Sequence, residues 1–200
     1  MQQKNARRSN QERTDATRAE LIAAARALFT GKGYAATGTP EIVSTAGVTR
    51  GALYHHFADK QALLRAVVEQ EAAAVAAEIE NATPDDPTDA IAALRAGAHA
   101  YLQAMRAPGR ARLLLLDGPA ALGRDGMDQI DAAHGNRTLR EGLTLTMRAG
   151  AIAPMPLGPL TTLLGAMFDR AALAIEQGEP ADDYLAIMDA VLAGLGRAGR

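Results

Sequence analysis

The sequence predicts an all-α protein of about nine helices, and three observations predict it. Of the 96 hydrophobic residues in this 200-residue chain, 45 are alanine and 23 leucine, against 6 valines and 7 aromatics. Alanine and leucine lead the helix formers, whereas strands favour the scarce types. Apolar positions recur at three- and four-residue spacing, and no segment alternates as a strand does. Glycine, proline and capping residues then cut the chain into pieces of helical length. No apolar run approaches the roughly 18 residues of a membrane helix, and residues 1–15 lack a signal-peptide core, which points to the cytoplasm. The chain has no cysteine, so disulfides, thiolate zinc sites and cysteine catalysis are excluded.

Residues 1–14 are polar, carry Lys4, Arg7, Arg8 and Arg13, and read as a flexible basic arm. From about Thr14, the spacing of Leu21, Ala24, Ala25 and Leu28 predicts a helix that Gly31 and Gly33 end. Thr39-Pro40-Glu41 supplies a cap, a first-turn proline and an acid, predicting a helix over 40–46 that stops at Gly47. Thr49 caps a second short helix over 50–57, and Asp59 caps a long one over 60–81. After the breaker at 85–89, a helix runs to about Met105. Asp117-Gly118-Pro119 is expected to stop the run at 113–116, and one helix is expected over about 127–148, interrupted by Gly135 and Gly142. The last two helices span about 159–176 and 181–195.

The formal net charge of −2 divides unevenly. Residues 1–60 hold nine Lys/Arg against five Asp/Glu, or +4, and residues 61–200 hold twelve against eighteen, or −6. A basic first third on an acidic remainder suits a nucleic-acid-binding head on a body with other work.

The stretch 39–57, TPEIVSTAGVTRGALYHHF, reads as a helix-turn-helix. Gly47 sits where the turn needs a left-handed backbone. Ile42, Ala46, Val48 and Leu53 are spaced to face inward and lock the two helices. Thr49, Arg50, Gly51, Tyr54 and His55 are left outward on the second helix, whose N-terminus favours phosphate. A plain αα-hairpin is the alternative, but the short helices, basic surroundings and polar outward set argue against it.

The string ALFTGKGYAATGTPEIVSTAGVTRGALYHHFADKQALLRAVV resembles the DNA-binding domain of TetR (tetracycline-repressor-type) transcriptional regulators. Gly33-Tyr34, Thr37, Ile42, the block 46–54, His56-Phe57, Lys60 and Leu63-Leu64 carry the likeness. Val43 stands where such proteins usually have alanine, and Thr39-Pro40 replaces a more apolar start. The resemblance implies an arm at 1–14, a DNA-binding domain at 15–75 with its helix-turn-helix at 38–57, and an effector-binding and dimerisation domain at 76–200. It also implies that the second helix of the motif enters the major groove. Candidate DNA-binding residues are Thr39, Thr49, Arg50, Gly51, Ala52, Tyr54, His55 and Lys60. Arg50 is the long donor at the helix start and suits guanine O6/N7. Tyr54, His55 and Lys60 suit phosphates.

In the body, Leu160, Leu164, Met167, Phe168, Ala171 and Ile175 form one stripe. Tyr184, Met188, Val191 and Leu195 form another. Such stripes serve a monomer core as readily as a partner; the resemblance implies a homodimer on a pseudo-palindromic double-stranded DNA operator, with Leu160, Leu164, Met167, Ala171, Ile175, Tyr184, Met188, Val191 and Leu195 at its interface. It further implies a small-molecule effector, largely apolar, in a pocket for which Tyr101, Leu102, Met105, Leu115, Met127, His134, Met147 and Phe168 are candidates. Asp128, Asp131 and His134 have the spacing of a helical metal face, but a solvated face is the better reading. No nucleophile elbow, P-loop or dinucleotide fingerprint is present, so no enzyme, metal or cofactor is expected. The expected function is therefore a repressor released from DNA by a bound effector. Its rival is a ligand-independent DNA-organising or protein-interaction module built on the same helix-turn-helix.

Overall fold

The computed structural model describes residues 2–83 and 89–197, with side chains described from residue 11 to residue 196 within them. The side chains of Lys4, Arg7 and Arg8 and the break at 85–88 lie outside the described residues. The head consists of α1 (Gln2–Lys32), α2 (Thr39–Ala46) and α3 (Arg50–His56), and α4 (Lys60–Ala82) leads from it into the body. The body comprises α5 (Ala90–Met105), the one-turn α6 (Arg110–Arg112), a π turn (Leu113–Asp117), α7 (Gly118–Ala133), α8 (Gly135–Arg148), α9 (Leu157–Glu176) and α10 (Ala181–Arg197). Counting the bent run from α6 through α7 as one, there are nine helical elements among the described residues, and no strand.

Several predicted ends hold, for the predicted reasons. Gly47 has φ 67° and closes α2. The Thr49 hydroxyl accepts from the Ala52 N–H at 3.1 Å, and Asp59 Oδ1 accepts from the Ala62 N–H at 2.7 Å. Each satisfies an N–H that the first turn leaves without a helical partner.

Other expectations are corrected. The stretch expected as an arm continues α1 back to Gln2, since Gln, Lys, Ala, Arg and Glu are good helix formers and nothing there breaks the run. Thr39 does not cap α2; Gly38 is the cap, without a side-chain bond, and Thr39 is the first helical residue. Asp117-Gly118-Pro119 does not stop the chain, because Pro119 falls in the first turn of α7, where a missing N–H costs nothing. Gly123 (φ 72°, ψ 173°) kinks α7 instead. The single helix expected over 127–148 breaks at His134 (φ −129°, ψ −93°), and Gly142 passes through α8 undisturbed.

Packing explains why α4 is the central shaft. Leu63, Leu64, Val67 and Val68 are buried near its start, and Ala72, Val75, Ala76 and Ile79 further along. A helix buried on so many sides lies between other elements rather than at a surface. Its 23 residues span about 35 Å. At the head end it shares a core with Leu21, Phe29, Ile42 and Leu53; in the body that core continues through Leu113, Leu143, Met188 and Leu192.

Candidate functional site

The helix-turn-helix is locked from within as its sequence requires. Ile42 and Leu53 are fully buried, and Ala46 and Val48 pack half-buried against them. Turned the other way, Thr49, Arg50, Gly51, Tyr54 and His55 are exposed, with Ala52 half-buried among them. The Arg50 guanidinium lies over the Tyr54 ring, 5.5 Å from its centre. Hydrogen bonding to Thr39 and then to Arg50 draws the Tyr54 phenol below its ordinary pKa. Thr39, Arg50 and Tyr54 thus form one polar patch across both helices of the motif. Phe57 is buried, with the Arg18 guanidinium 5.3 Å from its ring centre.

Lys60 is placed differently from expectation. Its Nζ donates to the carbonyls of Tyr34 and Thr37, both at 3.0 Å, and lies 4.1 Å from the Tyr34 ring centre. Two of its three N–H bonds therefore fasten the loop after α1 to the start of α4. This gives Lys60 a positioning role beside the phosphate contact expected of it.

Within the body, α4, α5, the π turn, α7, α8 and α9 enclose a cavity of about 740 Å³, within the size range of small-molecule sites. Of the predicted pocket residues, Tyr101, Met105, Leu115, Met127 and Phe168 line it. Leu102 is buried elsewhere in the core, Met147 packs half-buried against that core, and His134 sits at the break before α8. The break also destroys the regular spacing that suggested a metal face at Asp128, Asp131 and His134. Among the described residues there is no group of three or more suitable side chains that could hold a metal ion.

The sequence reading missed the cavity's polar side. Asp128 and Asp131 of α7, Asp169 of α9 and Asn136 of α8 all reach the wall. The Tyr101 hydroxyl donates to Asp169 Oδ1 at 2.6 Å. Burial pushes the Tyr101 phenol well above its ordinary value, with the Asp169 charge adding to it. Burial also raises Asp169, against the bond from Tyr101. Asp131 is pushed up to about 6 by burial first, then by the charges of Asp169 and Asp128. A signal was available: Asp169 is a lone acid beside Phe168 in an otherwise apolar helical stripe.

Head and cavity are tied together at Glu71 on α4. Its carboxylate takes Arg26 of α1 at 2.6 and 3.1 Å and Arg110 of α6 at 2.8 Å. Arg110 also bonds Glu78 at 2.9 Å and the Ala104 carbonyl at 2.7 Å. The Tyr34 N–H donates to Asp117, at the end of the π turn, at 3.2 Å.

The predicted dimer stripes face largely inward. Leu164, Ala171 and Met188 are buried, and Leu160, Met167, Ile175, Tyr184 and Leu195 are half-buried. The outward apolar residues of α9 and α10 are Leu163, 71% exposed, and Ile187, 63% exposed, with Val191 of the predicted set. Leu164, Ala171 and Met188 thus belong to the core of the single chain, while Val191 and the half-buried members keep surface beside Leu163 and Ile187.

Two family models match the chain: “Bacterial regulatory proteins, tetR family” over residues 21–67, and “Tetracyclin repressor-like, C-terminal domain” over 91–195. The crystal structure of a TetR-family transcriptional regulator from Pectobacterium atrosepticum is 33% identical, with a TM-score of 0.71, covering 94% of this chain and 95% of that one. The transposon Tn10 TetC protein of Escherichia coli is 40% identical over 92 residues, 46% of each chain. The HTH-type transcriptional regulator TtgR of Pseudomonas putida is 42% identical over 62 residues, 31% of this chain and 30% of that protein. The chain spans less than half the length of these two curated relatives.

Proposed function

Because the chain belongs to the TetR family of helix-turn-helix transcriptional regulators, we propose that it is a homodimeric repressor released from a pseudo-palindromic operator by a small, largely apolar effector. The observation that carries this reading is α4. Its first residue fastens the loop before the helix-turn-helix, and Ala72, Val75 and Ile79 further along line the cavity. A molecule that fits the cavity better in one setting of α4 than in another shifts the head with it, and DNA affinity changes by the same differential.

On the DNA side, α3 presents Arg50 to base edges, with Thr49 and Gly51 at the helix start where the backbone comes close. Tyr54, Thr39 and His55 suit flanking phosphates. One helix-turn-helix contacts too few bases for a long site, so a two-fold pair reading two half-sites is required. The exposed Leu163, Ile187 and Val191 provide the apolar face for that pairing. A DNA-binding role fits a cytoplasmic protein; among the described residues no helix is long and apolar enough to cross a membrane.

Selection of bound sites from a random DNA pool, followed by a screen for molecules that release the selected site, tests the proposal. A defined palindromic site, released by at least one compound, is expected. Sequence-independent coating of DNA, or an operator affinity that no cavity-binding compound alters, would overturn it in favour of a ligand-independent DNA-organising module.

A further inference from the structure

The polar lining of the body cavity is lopsided. Asp131 and Asp169 reach it half-buried from two helices; at its rim the exposed acid Asp128 stands with one cation, the exposed Arg124. The charges that act on Asp131 are the carboxylates of Asp169 and Asp128, and the hydrogen-bond partner of Asp169 is the neutral Tyr101 hydroxyl. Desolvated carboxylates without a cation beside them are costly, and a ligand bearing the missing charge recovers that cost. The rings of Tyr101 and Phe168, 6.3 Å apart and inclined by 38°, stand beside Asp169. Aromatic faces attract cations as well as apolar groups. Much of the remaining wall, Val75, Ile79 and Leu94 among it, is aliphatic, and its other polar groups, Asn136 and the hydroxyls of Thr83, Thr138, Thr146 and Thr162, are neutral.

We propose that the cavity takes an organic cation: an apolar or aromatic frame carrying one protonated amine or amidine, seated against Asp169 and Asp131 and flanked by Tyr101 and Phe168. The inference rests on reading the cavity as the effector site and names the chemistry of that effector. An amine N–H donates to Asp169 on the side that Tyr101 leaves open, while the frame fills the aliphatic end. A ligand carboxylate in the same place meets the half-buried carboxylates of Asp131 and Asp169 and is disfavoured. Burial and then the charges of Asp169 and Asp128 raise Asp131, and a cation seated beside it returns it towards the ordinary carboxylate range.

Isothermal titration of the full-length protein with 2-naphthylmethylammonium, 2-naphthylmethanol and 2-naphthoate at neutral pH compares one frame in positive, neutral and negative form. The ammonium is expected to bind about tenfold more tightly than the alcohol, and the naphthoate most weakly. Asp169→Asn and Asp131→Asn are each expected to weaken the ammonium about fivefold or more and to leave the alcohol within about twofold. Circular dichroism establishes that each variant is folded; if Asp169→Asn is not, Asp131→Asn decides. Equal or tighter binding of the alcohol or naphthoate, no ammonium binding at millimolar concentration, or unchanged discrimination in the folded variants overturns the proposal. Release of DNA is scored separately, which separates the two readings. A neutral cavity ligand that releases the operator while the ammonium does not bind overturns the cation and keeps the effector. Selective ammonium binding with DNA affinity unchanged keeps the cation and overturns the effector.

Discussion

Replacing Glu71 by glutamine tests how head and body are joined. Glu71 is 5% exposed, and its oxygens are divided between Arg26 and Arg110. Burial alone raises a carboxyl pKa, yet the hydrogen bonds and charges of the two guanidiniums outweigh it and hold Glu71 below its ordinary 4.5. Glutamine keeps one acceptor, loses the charge and turns an NH₂ group towards a guanidinium. Removing one partner of a buried pair costs roughly 3–5 kcal/mol. Two features reduce that here. The Arg26 side chain is 33% exposed and rehydrates, and Arg110 retains Glu78 and the Ala104 carbonyl. The expected loss is about 2–3 kcal/mol, or about 5–10 °C in Tm for a chain of this size. Arg26→Ala, whose guanidinium is partly solvated already, should lose about 1 kcal/mol. Because the folded carboxyl titrates below its unfolded value, its contribution is complete above about pH 4.5 and fades as the pH falls further. Urea melts at neutral pH and in acid measure both effects. A loss under about 0.5 kcal/mol at neutral pH, or a gap between variant and wild type that widens in acid, would refute the reasoning.

Arg50→Ala should cost about 1–3 kcal/mol of discrimination at one base position, whereas His55→Ala should weaken binding evenly across sequences; a binding selection showing the wild-type preference in the Arg50 variant removes its reading role. Gly109→Ala should destabilise by about 2 kcal/mol or more in chemical denaturation, since Gly109 has φ +71° and an added Cβ lies 2.6 Å from Thr30 Cβ and 3.0 Å from Thr30 Cα. Asp131→Asn should stabilise the ligand-free protein above pH 6 and leave it unchanged near pH 3, because the folded carboxyl, facing Asp128, Asp169, Tyr101 and Arg124, holds its proton up to about 6 against an ordinary 3.8. That rise sets a ceiling of about 3 kcal/mol, and solvent screening reduces it to about 1–2 kcal/mol; a stabilisation that grows in acid would contradict it. Ile187→Asp should convert a dimer to a monomer in sedimentation velocity and lower operator affinity, whereas Leu164→Ala should lower stability by about 2–4 kcal/mol.

Local signals in the sequence reach most of the head and less of the body. Thr49, Asp59 and Gly47 are read correctly because caps and left-handed turns are decided within three or four residues. The helix-turn-helix is legible for the same reason: its inward set, Ile42 and Leu53 foremost, is fixed by spacing along two short helices. The α7–α8 break was not, because the backbone turns at His134, beside a glycine, while an equally placed Gly142 stays helical under Leu94. Periodicity found the apolar stripes of α9 and α10 but not their partners. Leu164 and Met188 close the monomer, and Leu163 and Ile187 are left outside. Neighbouring positions on the helix point about 100° apart, and which of them is covered within the chain is set by neighbours distant in sequence. The acidic side of the cavity depends on Asp131 and Asp169, 38 positions apart, so no window of sequence contains it.

The same limit applies to the stretch from Arg110 to Asp117, which joins the cavity to the head. Arg110 ends on Glu71 of the shaft, Leu114 and Leu115 line the cavity, and Asp117 accepts the Tyr34 N–H from the loop before the helix-turn-helix. Cavity wall and head contact are therefore two residues apart in the chain. The turn between them is π-helical, its extra residue closed by the Gly118 N–H on the Leu113 carbonyl; single π turns of this kind recur at functional sites. Pro119 follows at once and cannot donate back into that turn, so the wider ring is not drawn into regular α-helix from its C-terminal side. On the proposed reading, a molecule pressing on Leu115 acts on the peptide run that holds Asp117, and Glu71 gives α4 a second link between cavity and head. Two short mechanical links, each anchored by a buried or half-buried charge, make a transmitted movement depend on those charges rather than on the apolar core around them. Removing Glu71 or Asp117 should therefore uncouple effector from operator at a smaller cost in stability than cutting an equally buried leucine.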